Sequence, residues 1–308
     1  MQNQINIYSD CEELQKIYEA LLCSFVRLSD ILKYHTTGRQ ETGQINTFGD
    51  IQLDCDTHTD QIIFDELKKT GVVAYALSEE TPQPVNLGGN KYIVTFDPLD
   101  GSSIIGTNWT VGTIFAVWKN DEKILIGHRV KEIVISGCCL YGPRTTALIY
   151  NQKLKSVEEL QLKLKQDNSL YWDVTHISCV IQPKGNIFAP GNLRAASENI
   201  GYKKCIDYWM DNGYTLRYTG GMVPDVLYIY FQINKFQFLD LSNFYQRKRV
   251  LYEVAPLAHL VEMAGGKSSD GKNSLMELEI TGYDQRSEII VGSKDEVEKV
   301  EQFLNEKI

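Results

Sequence analysis

Several features that would place a chain in a special class are missing from this 308-residue sequence. No apolar run approaches the ~20 residues that a membrane-spanning helix needs. The N-terminal MQNQINIYSDCEELQ is polar and then acidic, unlike a secretory or organelle-targeting leader, and the C-terminal LNEKI carries no address or lipidation signal. We therefore expect a protein without a membrane anchor that is either cytoplasmic or carries a leader outside the given sequence.

The cysteine pattern excludes two further classes. The seven cysteines are odd in number and scattered, and they contain no Cys-x-x-Cys pair. This favours reduced thiols over a disulfide framework or a zinc site. The adjacent Cys138 and Cys139 lie in the apolar run VISGCCLYG and are interpreted as buried strand thiols.

Positive charge is also scarce, and the formal net charge is −9. A general affinity for nucleic acid or for an anionic membrane is therefore not expected. An anionic substrate would have to be bound by a local cluster of arginines or by a metal ion.

The chain has the composition of a globular protein, with 43% apolar and 23% charged residues. Its length suffices for one large domain or two modest lobes. We find no internal repeat, low-complexity tract or flexible linker. Helical and extended patterns are mixed without strict alternation, which favours an α/β fold in layers.

Periodicity locates the main elements. A Ser-x-x-Glu capping box opens a predicted helix over 9–32, a second helix is predicted from about Asp60 to Thr70 with Gly71 as its stop, and a C-terminal helix begins near Ser293. Strands are predicted for VVAYALS, KYIVTF and GTIFAVW. The Lys- and Leu-rich 151–176 looks like an exposed insertion or a helical edge. VPDVLYIYFQ and VLYEVAPLAHLVEMAGG are predicted helices, with Pro256 in the first turn or at a bend of the latter.

The stretch TFDPLDGSS, residues 95–103, raises the question of function. Pro98 fixes one backbone angle, so Asp97 and Asp100 are predicted to face the same side of a tight turn, with the Leu99 carbonyl as a third ligand. The glycine and serines that follow would let backbone N–H groups approach an anion. The plainer interpretation is a surface turn, which Pro and Gly among aspartates commonly make.

Other acids favour the metal site over the turn. If two carboxylates approach to 4 Å, their repulsion costs about 4 kcal/mol at an effective dielectric near 20, so the site must hold protons or a cation. Oxygen ligands without His or Cys favour Mg²⁺ or Mn²⁺ over zinc. The stretch therefore predicts metal-assisted phosphoryl transfer. The candidate acids at strand ends or a helix start are Asp50, Asp54, Asp56, Glu79, Glu80, Asp97 and Asp100.

These motifs resemble a known family. FDPLDGSS, preceded by SEE and followed by VGTIFAVW, is similar to the sugar bisphosphatases that cleave fructose 1,6-bisphosphate or sedoheptulose 1,7-bisphosphate, and the likeness continues through GDIQLD, YGPRTT, APGNLRA, YTLRYTGGMVPDV, YEVAPLAHLVEMAGGKSSDGK and VGSKDEV. YGPRTT, PGNLRA and LRYTGGMVPDV look more like the sedoheptulose branch. The resemblance implies a layered αβαβα fold with mixed sheets. It also implies two lobes, about 1–178 binding metal and about 179–308 binding the substrate phosphate.

The resemblance implies Mg²⁺-dependent removal of the C1 phosphate of sedoheptulose 1,7-bisphosphate, with Mn²⁺ as a possible substitute. Activity on fructose 1,6-bisphosphate, alone or in addition, is the near alternative. A hydrolase of inositol phosphates or nucleotide 3′-phosphates, and a sugar-phosphate sensor without activity, are more distant ones.

The resemblance also implies roles for individual residues. Glu80 and an upstream aspartate, Asp54 in preference to Asp56, would position and deprotonate the attacking water, with Asp50 beside them. His58 is interpreted as a polar residue of a helix start. The implied metal ligands are Asp50, Glu79, Asp97, the Leu99 carbonyl, Asp100 and Glu253.

Two phosphate sites are implied. The distal one would use Asn192, Arg217 and Tyr218; because the fructose enzymes supply the counterpart of Arg217 from a neighbouring subunit, we expect a homo-oligomer, a dimer or tetramer. Arg194 is either a helper or a structural ion pair. The site beside the metals would use Gly101, Ser102, Ser103, Arg249 and, where the family usually has Lys, Arg247.

Two departures from the family pattern bear on regulation and alignment. The chloroplast sedoheptulose enzymes carry a cysteine pair before the FGD element, whereas this chain reads RQETGQ there, which excludes switching by that pair. Asp240 occupies the region of a phosphate-binding Tyr in the fructose enzymes. An acid is unfavourable beside a phosphate, so either Asp240 points away or the alignment slips there.

Overall fold

The computed structural model describes residues 9–34, 41–45, 51–231, 236–240 and 248–306, with side chains described for 9–34, 57–226 and 248–306. In the described residues, no helix has both the length and the apolar character needed to cross a membrane.

The N-terminal part of the chain forms an eight-stranded sheet and two helices. The strand order is β10-β9-β8-β7-β6-β5-β3-β4, in which β3 and β5 run parallel and the other neighbours antiparallel. A small ribbon, β1-β2, precedes α2. The elements are α1 (Glu12–Tyr34), β1 (Glu41–Ile45), β2 (Ile51–Leu53), α2 (Asp54–Lys69), β3 (Val73–Ser78), β4 (Val85–Asn86), β5 (Tyr92–Asp100), β6 (Val111–Lys119), β7 (Ile135–Tyr141), β8 (Thr145–Asn151), β9 (Ser156–Leu164) and β10 (Leu170–His176).

The C-terminal part forms a five-stranded mixed sheet of order β12-β11-β13-β17-β15 and a short ribbon, β14-β16. Its elements are β11 (Ile187–Pro190), α3 (Ile200–Asp211), β12 (Thr215–Leu216), α4 (Met222–Phe231), β13 (Phe236–Asp240), β14 (Lys248–Arg249), α5 (Ala255–Met263), β15 (Lys267–Ser269), β16 (Arg286–Ser287), β17 (Ile289–Gly292) and α6 (Lys294–Asn305).

In the described part of the chain, the two larger sheets and the six α-helices stack in five layers. α1 and α2 cover one face of the large sheet, where Phe25 packs near Phe115 and Phe64 near Phe96. α4 and α5 fill the space between the two sheets, and α3 and α6 cover the outer face of the small one. The predicted α/β fold in αβαβα layers with mixed sheets is thus confirmed.

Most predicted elements are confirmed. The apolar stripe of α1 is buried, the three N-terminal strands form, and Pro256 lies in the first turn of α5. Ser293 is the N-cap residue of α6, as predicted, although its side chain makes no capping hydrogen bond. Gly71 follows α2 with φ +67, a conformation that only glycine adopts readily.

Two predictions were wrong in part. Helix α2 begins at Asp54, six residues before the predicted Asp60, so His58 lies inside the helix and not at its start. Residues 151–176 are not helical: they contain β9 and β10, which form a hairpin at the edge of the large sheet. Their Lys and Leu content suits a helix, but pairing of β9 with β8 buries Val157 and Leu160 and decides the local structure.

Candidate active site

The parallel pairing of β3 and β5 brings the first two acids together. Ser78 ends β3 opposite Phe96 of β5, and the Glu79 N–H donates to the Phe96 carbonyl at 3.1 Å. Glu79, directly after β3, and Asp97, within β5, therefore lie side by side. This is the edge at which the carboxyl ends of parallel strands gather ligands in layered α/β folds.

A β-bulge explains how Asp97 and Asp100 face the same layer. Three steps of β5 separate Asp97 from Asp100, while their partners Ile114 and Gly112 are two steps apart on β6, so β5 holds one extra residue. Side chains three apart on a regular strand point to opposite faces, and the extra residue reverses this. The predicted shared side is confirmed, but a bulge within a continuing strand produces it, in place of a tight turn.

The bulge is fixed by hydrogen bonds to its backbone. The Leu99 N–H donates to Asp97 Oδ1 at 2.9 Å, and the Thr113 hydroxyl of β6 donates to the Pro98 carbonyl at 2.9 Å. The bulge that carries Asp97 and Asp100 is therefore held firmly on the sheet.

The third acid comes from the C-terminal part of the chain. Glu253 lies in a single π-helical turn, residues 250–254, that leads into α5. Carboxylate oxygens of Glu79, Asp97 and Glu253 lie within 4.8 Å of one another. These three residues, with the neighbouring Asp100, are called the acidic cluster below.

Among the residues that the structure describes, Lys248 and Arg249 border the acidic cluster. The Arg249 guanidinium, 2% exposed, lies 3.1 Å from Glu79 Oε1, and its backbone N–H donates to Glu253 Oε2 at 2.7 Å. Lys248 Nζ lies 3.0 Å from Glu253 Oε1. The predicted Arg249 thus lies beside the acids, and its contact with a phosphate stays a prediction.

Burial and mutual repulsion favour protonation of the cluster. Burial raises the pKa of Glu79 to about 7, helped by repulsion from Glu253 and opposed by Arg249. Burial, then Glu79, Asp100 and Glu253, hold the pKa of Asp97 well above its usual range. Burial raises the pKa of Asp100 to about 6 against Lys248 and two backbone N–H groups. At neutral pH the cluster must therefore share protons or bind a cation.

The donor set fits a hard divalent cation. All the converging atoms are carboxylate oxygens, without a His or Cys companion in the cluster. Such ligands suit Mg²⁺ or Mn²⁺, and a bound ion would remove the repulsion that raises the pKa values. Leu99 lies on the bulge between two of the acids and is buried, and its role as a carbonyl ligand stays a prediction.

Asp100 also joins the metal side to the rest of the site. Its two oxygens accept the N–H groups of Met222 at 3.0 Å and Val223 at 2.6 Å, in the first turn of α4. Gly101 has φ +84, and a Cβ there would lie 3.3 Å from Gly221 Cα. Only glycine suits that backbone angle and that close approach.

The predicted phosphate-binding loop follows directly. Gly101 precedes a 3₁₀ helix, residues 102–107, and Ser103 is exposed while Ser102 is half-buried. The loop is therefore open to solvent next to the buried acids, as binding of a phosphate ester requires.

The distal residues lie at one edge of the small sheet. Asn192 follows β11 and Arg217 follows β12, and these strands run parallel with Phe188 opposite Leu216. The Arg217 N–H donates to the Phe188 carbonyl at 2.9 Å. Arg217 is exposed, Tyr218 is 46% exposed, and Arg194 is exposed on the 3₁₀ helix after Asn192. Asp240 ends β13 at the same edge, and its side chain lies outside the described ones.

Several predicted residues cannot be placed. Asp50 and Arg247 lie outside the described residues, and the side chains of Asp54 and Asp56, in the first turn of α2, are also outside them. Their implied roles stay predictions. Glu80 is half-buried directly after Glu79, at the sheet edge described above, and His58 is exposed.

The sequence reasoning missed two buried acids. Asp60 accepts the Thr81 hydroxyl at 2.9 Å and braces the turn that carries Glu79 and Glu80. Burial raises the pKa of Asp60 to about 6. Hydrogen bonds with Ser78 and Thr81 oppose this rise, and repulsion from Glu80 adds a smaller contribution to it.

Asp225 accepts the Thr219 N–H at 2.8 Å and so shapes the loop that carries Arg217 and Tyr218. Its place in the first turn of a predicted helix was the available signal.

Comparisons with known proteins identify the family to which the chain belongs. The N-terminal domain profile of fructose-1,6-bisphosphatase matches residues 10–167, and the C-terminal domain profile matches residues 181–305. A chloroplastic sedoheptulose-1,7-bisphosphatase of Triticum aestivum is 39% identical over 296 residues, 94% of this chain and 73% of that protein. A class 1 fructose-1,6-bisphosphatase of Trichlorobacter lovleyi is 33% identical over 294 residues, 92% of this chain and 90% of that protein.

A solved structure is also similar to this chain over nearly its full length. The crystal structure of a candidate sedoheptulose-1,7-bisphosphatase from Toxoplasma gondii superposes with a TM-score of 0.86 at 32% identity, covering 96% of this chain and 95% of that one. Family profiles, relatives and fold thus agree over nearly the whole sequence. The chain belongs to the fructose-1,6-bisphosphatase family of sugar bisphosphatases, which are phosphoric monoester hydrolases.

Proposed function

We propose that this sugar bisphosphatase hydrolyses the C1 phosphate of sedoheptulose 1,7-bisphosphate, giving sedoheptulose 7-phosphate and phosphate, with Mg²⁺ as its ion and Mn²⁺ as a substitute. The observation that carries the reaction is the cluster of Glu79, Asp97 and Glu253, whose oxygens lie within 4.8 Å beside an open loop of small residues. The seven-carbon sugar is supported by 39% identity to the wheat sedoheptulose enzyme, against 33% to the bacterial fructose enzyme over nearly equal lengths.

The acidic cluster would hold the ion. We assign Glu79, Asp97, Asp100, the Leu99 carbonyl and Glu253 as its ligands, with Asp50 as a further one. When bound, a divalent ion neutralises phosphoryl oxygens, lowers the pKa of water and stabilises the leaving alkoxide.

The chain itself supplies position and proton transfer. Arg249, fixed by burial and by Glu79, would pair with the scissile phosphate, and the N–H groups of Gly101, Ser102 and Ser103 would hold its oxygens, with Arg247 nearby. Glu80, with Asp54, would take the proton of the attacking water. Asp60 would keep Glu80 in place through the turn that ends at Thr81.

The distal phosphate sets which sugar fits. Asn192, Arg217 and Tyr218 would bind it at the edge of the small sheet, so that the separation of the two sites measures the sugar. The two-lobe division near residue 178 is part of this proposal, although Glu253 comes from the second lobe.

A homo-oligomer and a cytoplasmic location complete the proposal. The exposure of Arg217 and Tyr218 is consistent with a site completed by a second copy of the chain. The RQETGQ segment, without cysteine, suits an enzyme outside thiol regulation.

Fructose-1,6-bisphosphatase activity is the second candidate, and the class 1 fructose enzymes among the relatives favour it. Phosphate release from the seven- and six-carbon bisphosphates, measured side by side with Mg²⁺, separates the two. We expect a higher kcat/KM on sedoheptulose 1,7-bisphosphate. A clear preference for the six-carbon substrate would overturn the choice of sugar, and turnover unaffected by EDTA would overturn the metal requirement.

A further inference from the structure

The two cations at the acidic cluster differ in how firmly they are held. Arg249 is 2% exposed, and its guanidinium contacts both the carboxylate and the backbone carbonyl of Glu79, each at 3.1 Å. Lys248 is 30% exposed and reaches Glu253 Oε1 through a flexible four-carbon stem. Arg249 is therefore a fixed part of the site, whereas the Lys248 ammonium can withdraw.

Lys248 contacts an acid that converges with the others of the cluster. Glu253 Oε2 accepts the Arg249 N–H at 2.7 Å, and Oε1 is the atom that faces Lys248 at 3.0 Å. Glu253 is also one of the three acids whose oxygens converge within 4.8 Å. An ion bound by these acids and an ammonium on Glu253 Oε1 would be two positive charges competing for one carboxylate.

We propose that Lys248 is a tethered counter-ion of the acidic cluster, one that holds Glu253 in place before the metal binds and must release Glu253 Oε1 when it arrives. The inference rests on the metal-dependent function proposed above. It makes Lys248 a positioning residue that weakens metal binding to the substrate-free enzyme.

The same geometry gives the displaced ammonium a second partner. Lys248 is covalently next to Arg249, which lies at the edge of the cluster where the scissile phosphate is assigned. A phosphate bound there would attract the released ammonium and replace the ion pair that it loses with Glu253. Phosphate should thus favour metal binding in the wild-type chain through Lys248.

The test is calorimetric titration of Mn²⁺ into the full-length apo protein, which reads metal affinity without turnover. Removing a charge near a partly buried ligand set should tighten Mn²⁺ binding roughly tenfold in Lys248→Met, and Lys248→Arg should stay near wild type. Lys267→Met is the matched control. Lys267 is 25% exposed and pairs with Glu301 at 2.7 Å on α6, so its removal should leave Mn²⁺ affinity unchanged. Thermal unfolding of each variant, and Lys248→Gln as a second neutral substitution, guard against a folding defect.

The outcomes separate the two proposals. Mn²⁺ binding to wild type that is not tightened in Lys248→Met or Lys248→Gln overturns the counter-ion role and leaves the metal site standing. Absence of Mn²⁺ binding to every variant overturns both. In a second titration, inorganic phosphate should tighten Mn²⁺ binding more in wild type than in Lys248→Met, and an equal gain in both removes the phosphate step.

Discussion

The metal side and the distal side of the site are built on different principles. On the metal side Asp97, Asp100 and Glu253 are buried, and Arg249 is fixed between two partners. On the distal side Arg217 and Tyr218 are exposed at the ends of short parallel strands. The acids and Arg249 are therefore held within the layers, whereas Arg217 and Tyr218 of the proposed distal site are open to solvent.

The difference follows from what each end must do. Converging carboxylates repel one another, so only a rigid frame of sheet edge, bulge and π turn can hold them in place for an ion. A phosphate is held by cations and N–H groups that also suit water, so its residues can stay solvated until the substrate arrives. Changes on the metal side should thus affect kcat, and changes on the distal side KM.

The strongest test of the metal side is Asp97→Asn. Loss of one ligand charge should lower kcat by roughly 10³-fold or more, because charge stabilisation at the transition state is its main contribution. The fold should remain, with an unchanged or higher melting temperature, since the substitution removes one of several repelling acids. Phosphate release and thermal unfolding measure the two effects. Asp207→Asn, which removes an exposed partner of Lys203, is the control, and activity of Asp97→Asn near that of Asp207→Asn would contradict the assignment.

Low pH should destabilise the buried metal side of the site, through a histidine in the helix that follows Glu253. His259 of α5 is buried against Ser136, and burial lowers its pKa to about 4 from 6.5. Between those values the unfolded chain binds a proton that the native chain does not, so the free energy of unfolding falls as pH falls from 6.5 to 4, by at most about 3 kcal/mol. Below pH 4 this contribution levels off.

The buried carboxyls with raised pKa act in the opposite direction, because their protonation stabilises the native chain as pH falls. The contribution of His259 is therefore measured as a difference between wild type and a variant. Urea unfolding of wild type and His259→Gln at several pH values should show a shallower loss of stability in the variant between pH 6.5 and 4. Parallel curves for the two proteins would show that His259 does not contribute this acid sensitivity.

The distal side is tested by Arg217→Ala. Loss of a charge-assisted hydrogen bond of about 1.5–3 kcal/mol should raise KM for the bisphosphate roughly 10- to 100-fold, with a smaller change in kcat. Affinity for Mn²⁺ should not change, since Arg217 is not a metal ligand in the proposed site. Arg194→Ala decides between the two roles left open for that residue: a similar rise in KM makes it a helper, and a fall in stability with unchanged KM makes it structural. A fall in kcat alone for Arg217→Ala would break the division between the two ends.

Sequence patterns predicted the parts of the fold that rest on local periodicity. The stripe of α1, the strand before Glu79 and the start of α6 follow directly from the spacing of apolar residues and from the place of Ser293. The strand hairpin of β9 and β10 did not, because pairing across the sheet overrode a helical composition. The early start of α2 was missed for lack of an apolar signal before Asp60.

The candidate site, like the fold, was predictable from the sequence only in part. Asp97 and Asp100 could be chosen from one motif, and Glu79 from a strand end. Glu253 required the family resemblance, because its closeness to Glu79 depends on a π turn 174 residues later in the chain. The contact of Lys248 with Glu253 and the support of Glu80 by Asp60 depend on side-chain placement that no spacing specifies.

The bulge in β5 makes the pairing register of one strand, as much as residue identity, a determinant of the acidic cluster. If β5 and β6 kept an unbroken register beyond Asp97, Asp100 would pair with Val111, and its side chain would point to the opposite face of the sheet, away from the first turn of α4. All four acids would still be present in such a protein, but Asp100 would no longer lie beside the other three. We therefore expect the proposed metal site to be sensitive to a shift of register at this point, even where every acid is kept.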